Sequence, residues 1–84
     1  MKNRKFTNRN GNRYAIIKDI EESGTGRTIA LLMKLTDGGS RFVIAIGLSF
    51  ENKVWDAGYY YDNDIETALT IIDTWDDDQN SFLI

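Results

Sequence analysis

Along the first 61 positions apolar residues recur mainly with a period of two, and only near the C-terminal end does the spacing become helical. Arg13–Glu21 places Tyr14, Ile16 and Ile20 on one side and Ala15 and Ile17 on the other. Residues 28–36 set Ile29, Leu31, Met33 and Leu35 against Ala30, Leu32 and Lys34. Residues 41–48 set Phe42, Ile44, Ile46 and Leu48 against Val43, Ala45 and Gly47. These two runs are apolar on both sides, which marks them as central strands whose second face is also at least partly covered. Residues 53–61 alternate Val54, Asp56, Gly58 and Tyr60 with Trp55, Ala57, Tyr59 and Tyr61. Residues 63–78 then carry Ile65, Ala68, Leu69 and Ile72 at i, i+3, i+4 and i+7, with Ile71 and Trp75 widening the stripe, so a helix is predicted there. Asn63 and Glu66 have the spacing of a capping box, and Asp64 puts charge where the helix dipole favours it.

The connections are short and made of turn formers. Asn10-Gly11 predicts a type I′ hairpin pairing residues 5–9 with Asn12 onward as an edge strand, the alternative being a disordered basic arm. Ser23-Gly24-Thr25-Gly26, Asp37-Gly38-Gly39-Ser40 and Glu51-Asn52 supply the remaining turns. No connection requires a crossover. The expected fold is α+β: one domain over residues 1–84, an antiparallel meander of four to five strands with one C-terminal helix packed on one face. An apolar tail, Phe82-Leu83-Ile84, completes a sheet edge, packs under the helix or meets a partner.

Composition narrows the chemistry. The 84 residues include neither cysteine nor histidine, which removes disulfides, thiolate metal sites and nucleophile–histidine catalysis. Asp62, Asp64, Glu66 and Asp73 fall at positions 1, 3, 5 and 12 of a calcium loop, yet Thr67 stands where that loop needs glycine. Helix capping explains them better. Gly24-Thr25-Gly26 precedes a strand and lacks the context of a phosphate loop. Neither a cofactor nor an enzymatic activity is expected. With no signal peptide and no apolar run near the length of a membrane span, a cytoplasmic protein without membrane contact is expected.

Charge is segregated. Residues 1–14 hold Lys2, Arg4, Lys5, Arg9 and Arg13 and no acid, whereas residues 51–84 hold nine acids against Lys53. At about 100° per residue, Glu66, Thr70, Asp73 and Asp77 share one helical stripe opposite Ile71, Ile72 and Trp75. Asp76, Asp77 and Asp78 crowd the helix end that the dipole makes unfavourable for acids. A rise of about 1.5 Å per residue spaces Asp73 and Asp77 by roughly the interval between phosphates on a nucleic-acid strand. An acidic array of this kind suits a Lys/Arg-lined channel.

Residues 55–69, WDAGYYYDNDIETAL, resemble the strand-to-helix segment of small orphan proteins carried by phages and mobile elements of Gram-positive bacteria. Small acidic proteins in that setting include anti-CRISPR and anti-restriction inhibitors, some of them nucleic-acid mimics. The resemblance implies a host-defence inhibitor acting in a bacterial host cell. Together with the charge pattern, it gives a non-enzymatic binding protein that occupies the basic surface of a nucleic-acid-binding protein such as a CRISPR effector. Asp62, Asp64, Glu66, Asp73, Asp76, Asp77 and Asp78, with Tyr59 and Tyr61, would form that surface. Ranked below it is a nucleic-acid-binding module using Lys2, Arg4, Lys5, Arg9 and Arg13. A third alternative is a homodimer or small assembly joined through a free strand edge or the apolar tail.

Overall fold

A computed structural model of the chain describes residues 4–75. Five strands, β1 (Arg4–Thr7), β2 (Arg13–Glu21), β3 (Thr28–Lys34), β4 (Phe42–Ile46) and β5 (Ala57–Tyr61), precede one helix, α1 (Ile65–Asp73). The strands pair antiparallel in the order β1-β2-β3-β4-β5, the expected meander, with α1 across one face. Residues 5–9 were the expected edge strand, and β1 fills that role one residue earlier, with Thr7 opposite Arg13.

The connection that follows is not the predicted type I′ turn. That turn needs positive φ at both central residues, and Lys53 is the only described non-glycine residue with one. Instead the Gly11 N–H donates to the Asn8 carbonyl at 3.1 Å and the Asn8 N–H to the Asn12 carbonyl at 2.8 Å, with Gly11 at φ +89°. This is a three-residue loop with glycine at its left-handed position. The Asn8 side-chain oxygen ties it together, accepting the N–H groups of Asn10 and Asn12 at 3.0 and 2.9 Å.

The sheet is buried on both sides. Ile29, Leu31, Phe42, Ile44 and Ile46 meet Ala68, Ile72 and Trp75 of the helical segment, while Tyr14, Ile16, Ala30, Leu32, Val43, Ala45 and Leu48 form a second cluster on the other face. Three departures from strict alternation assign residues to these faces, and each corrects the expected pattern. Ile17 is a bulge in β2: Ile16 stands opposite Leu32 and Lys18 opposite Leu31, so one residue is extra. The bulge leaves Ile17 exposed and moves Ile20 to the helix face, away from Tyr14 and Ile16. At the end of β4 the N–H groups of Gly47 and Leu48 both donate to the Thr28 carbonyl, at 2.9 and 3.1 Å. Gly47 takes φ +75°, and Leu48 turns into the second cluster rather than joining Ile46.

The third departure precedes β5, which begins at Ala57 instead of residue 53. Residues 49–55 form a small reversal closed by a bridge between Ser49 and Val54, with Lys53 at φ 61°. The reversal lays Trp55 on the second face, whereas Tyr59 and Tyr61 face the helix. Trp55 meets Tyr14 edge-on with ring centroids 5.3 Å apart and Phe6 at 6.4 Å, while the Phe6 and Tyr14 rings stack at 5.8 Å. The sheet is thus rolled until β1 touches the segment leading into β5. Geometry of this kind favours aromatic pairs by about 0.5–1.5 kcal/mol each beyond burial.

The helix cap is also corrected. Asp64, not Asn63, is the N-cap, and its partner is Thr67, not Glu66. One Asp64 carboxylate oxygen accepts the Thr67 N–H at 3.1 Å and the other the Thr67 hydroxyl at 2.6 Å. These bonds hold the Asp64 carboxyl below its ordinary pKa. Within the described residues α1 ends at Asp73 with Thr74 as C-cap, and residues 76–78 of the predicted helix lie outside them.

Trp75 follows the cap fully buried, and its indole N–H donates to Glu22 at 2.6 Å. Glu22 is the one buried charged residue among those described, 2% exposed, and sequence patterning gave no hint of it. Its other oxygen accepts the Thr25 hydroxyl at 2.7 Å and two Arg27 N–H groups at 2.9 and 2.7 Å. The β2–β3 loop is therefore fastened to the C-terminal end of the helix by one carboxylate.

Candidate functional site

The acidic surface expected to bind a partner is only partly assembled. Asp62, Asp64, Glu66 and Asp73 are all exposed, but three of them also have partners within the fold. Asp62 accepts the Ser40 hydroxyl at 3.1 Å, Asp64 caps the helix, and Asp73 forms an ion pair with Lys18 of β2. Lys18 reaches Asp73 because the Ile17 bulge brings it onto the helix face. Glu66 has no ion pair among the described residues and borders a shallow surface with Thr67, Thr70 and Ile71. Tyr59 is 39% exposed and leans on Trp75 with ring centroids 6.4 Å apart. Tyr61 is half-buried against the helix-face core, and burial raises its hydroxyl pKa. Asp76, Asp77 and Asp78 lie outside the described residues.

The Lys18–Asp73 pair is about half exposed at both ends, so it contributes little. Replacing Lys18 by methionine should change the unfolding free energy by no more than about 1 kcal/mol in urea denaturation. A larger loss would make this pair a main attachment of helix to sheet.

The basic residues do not form one arm. Arg4 pairs with Asp19 at 2.6 Å, and its guanidinium lies over the Phe50 ring at 5.6 Å, on the second face. Lys5 and Arg13 are exposed at the β1–β2 edge, and Lys2 lies outside the described residues. Arg9 lines a concave site. That site is a groove of about 470 Å³ on the second face, at the end where the β1–β2 loop, the β3–β4 turn and residues 53–55 converge. Its volume lies in the range of small-ligand sites.

Beside Val43, Val54 and Ser40, three kinds of side chain line the groove. The cations are Arg9, Lys34 and Lys53, the rings are Tyr14, Trp55 and Tyr60, and the amides are Asn8, Asn10 and Asn12. No carboxylate is among the described lining residues. The ion pairs of the described residues, Arg4–Asp19, Lys18–Asp73 and Arg27–Glu22, involve none of its three cations. Lys34 and Lys53 each donate once to a backbone carbonyl, of Gly38 at 2.7 Å and Phe50 at 2.8 Å, which leaves further N–H donors on each ammonium.

The amides are biased the same way. Two backbone N–H groups converge on the Asn8 side-chain oxygen, and the Thr36 hydroxyl donates to that of Asn12 at 3.2 Å. Both amides therefore spend their acceptor inside the fold and keep their NH₂ donors. Burial, and then the neighbouring Tyr60, raise the Tyr14 hydroxyl pKa, so that ring stays neutral at physiological pH.

Sequence reasoning found Arg9, but only as part of a basic N-terminal run. Lys34, Lys53, Trp55 and Tyr60 come from three separate segments, and the rolled sheet brings them together with Arg9. The available clue was Asn10-Gly11 beside Arg9, a turn able to present that arginine. Trp55, Tyr59, Tyr60 and Tyr61 beside a basic arm also suggest base stacking on a sheet, a reading that burial tendencies rank below core packing.

Comparison of the chain with protein-family models, curated proteins and solved structures gives no match.

Proposed function

We propose that the protein is a small non-enzymatic nucleic-acid-binding module that uses the groove on the second sheet face. The observation that carries this reading is a donor-rich groove with three cations and no carboxylate among its described lining residues, on a chain whose net charge is −3. Cations grouped without counter-charges cost electrostatic energy in the free protein, and an anionic ligand removes that cost. The helix and its acids lie on the opposite face, so the overall negative charge does not cancel the local potential at contact distance. Screening over about 8–10 Å at physiological ionic strength keeps the two faces electrostatically distinct.

A gel-shift titration with a random-sequence oligonucleotide pool at low salt tests the reading. Binding should weaken steeply with salt and fall at least tenfold in the double variant Arg9→Glu/Lys34→Glu, with the fold checked by circular dichroism. Unchanged binding by the folded double variant would exclude the groove as the nucleic-acid surface.

A second reading rests on Glu66, Asp62 and Asp64, which are exposed without an ion-pair partner among the described residues. In it the helix face occupies the basic surface of a nucleic-acid-handling protein, as in an anti-CRISPR or anti-restriction inhibitor. The test is competition: a Glu66→Lys/Asp62→Lys variant should lose capture of such a protein, whereas Arg9→Glu should retain it.

A further inference from the structure

We infer that the groove takes single-stranded nucleic acid, with a base laid on the Tyr60 ring and the neighbouring phosphates held by Arg9, Lys34 and Lys53. This inference rests on the nucleic-acid reading of the same groove and specifies the form of the ligand. Its basis is how the aromatic side chains are held. Tyr60 is 59% exposed, more than any other large apolar or aromatic side chain described, and it sits in β5 opposite Val43 on the groove side of the sheet. An edge-strand ring left that open has little packing function, yet its backbone is fixed by the ladder to β4. That combination makes a rigid stacking platform.

The facing wall is rigid too. Trp55 is locked edge-on against Tyr14 at an interplanar angle of 85° and against Phe6 at 87°. Between wall and platform lies Gly58. A methyl group there would stand 3.2 Å from both the Trp55 indole nitrogen and the Tyr60 ring, and 3.1 Å from Val43. The absent side chain keeps that crowded floor free. The Trp55 indole N–H makes no described protein hydrogen bond and adds a donor to those of Asn8 and Asn12.

Flat rings flanked by amide donors and by cations without an ion pair among the described residues match a ligand with flat faces, acceptor edges and phosphates. Base–aromatic stacking needs bases that are free of a duplex stack, so a single strand fits and a double helix does not. DNA and RNA share this chemistry, and separate arms of the test distinguish them.

The experiment measures fluorescence anisotropy of labelled oligothymidine, oligouridine and a duplex of equal length with the full chain at low salt. Single strands, of either or both sugars, should bind at least tenfold tighter than the duplex. Tyr60→Ala should weaken single-strand binding about five- to hundredfold, the range of one stacked base, and Tyr60→Phe should restore it. Arg9→Glu should lower the slope of log affinity against log salt by about 0.7 or more. Equal binding of duplex and single strand, or unchanged binding by Tyr60→Ala while Arg9→Glu loses it, would overturn the inference and leave the nucleic-acid reading standing. If no oligonucleotide of either form binds, the nucleic-acid reading falls and takes the inference with it.

Discussion

Replacing Glu22 by alanine is expected to lower the unfolding free energy by about 2–4 kcal/mol at neutral pH. The side chain is 2% exposed and accepts from three residues that nothing else in the described structure satisfies in the same way. Its loss strands the Trp75 indole N–H inside the core, and an unpaired buried donor costs about 1–3 kcal/mol. Arg27 is 44% exposed and can turn to water, which keeps the total below that of a fully buried ion pair. A domain of this size is stable by about 4–13 kcal/mol in all, so the loss is a large share.

The pH dependence distinguishes charge from packing. The Trp75 N–H first, then the Thr25 hydroxyl and Arg27, hold the Glu22 carboxyl below its ordinary value near 4.5, outweighing the opposing effect of burial. A carboxyl with a lower pKa in the folded chain stabilises it fully above the unfolded value and loses that effect as pH falls through the folded value. Glu22→Gln should therefore be less stable than the parent at neutral pH, and the gap should narrow below about pH 4.5 as the parent is protonated. Urea denaturation of the parent, Glu22→Gln and Glu22→Ala at neutral pH and near pH 3 measures this. A gap for glutamine that does not change with pH would mean that shape, not ionisation, is what the site requires.

Glu22 also shows where sequence patterning loses its hold. Four strands and the helix follow from periods of two and 3.6, because burial imposes those periods locally, while the first strand is read only from the turn signal at Asn10-Gly11. A glutamate at the end of a strand looks like a solvated terminus. Only the return of the chain 53 positions later, bringing Trp75 onto it, makes it a core residue. The same limit explains the misassigned faces. Ile17 and Gly47 each interrupt an otherwise regular alternation, and a bulge shows in the pairing of two strands, not in the composition of one. Gly47 had a visible cue, being the glycine that ends an apolar run, whereas Ile17 had none. The groove was illegible for a related reason. Its cations sit at positions 9, 34 and 53, and their proximity depends on how far the sheet rolls. Asp64 and Thr67 were close enough in sequence to be read as a cap, but Asn63 and Glu66 offered the same spacing one residue earlier, and propensity cannot choose between them.

Gly47→Val is expected to cost about 3 kcal/mol and to disturb the groove along with the core. Gly47 sits at φ +75°, where an L-residue is strained by about 1–2 kcal/mol and a β-branched one by more. Its position also leaves no room: a Cβ would come within 2.5 Å of the Asp56 carboxylate. The two effects can be separated because Asp56 is exposed and free to rotate. Gly47→Ala alone should lose about 1–2 kcal/mol, nearly all of it backbone strain, and adding Asp56→Ala should recover only a small part. Full recovery in the double variant would show that crowding, not the left-handed backbone, is the constraint. The consequence reaches further because Gly47 turns Leu48 onto the second face and so starts the reversal that carries Lys53 and Trp55 to the groove. A valine forced toward ordinary strand geometry would continue the β4 alternation and send Leu48 to the helix face. Trp55 would then lose its fixed contact with Tyr14. In Gly47→Val the tryptophan emission should accordingly shift to the red under conditions where circular dichroism still reports a folded sheet. An unshifted emission in a folded variant would mean that residues 49–55 hold the groove wall without help from the glycine before them.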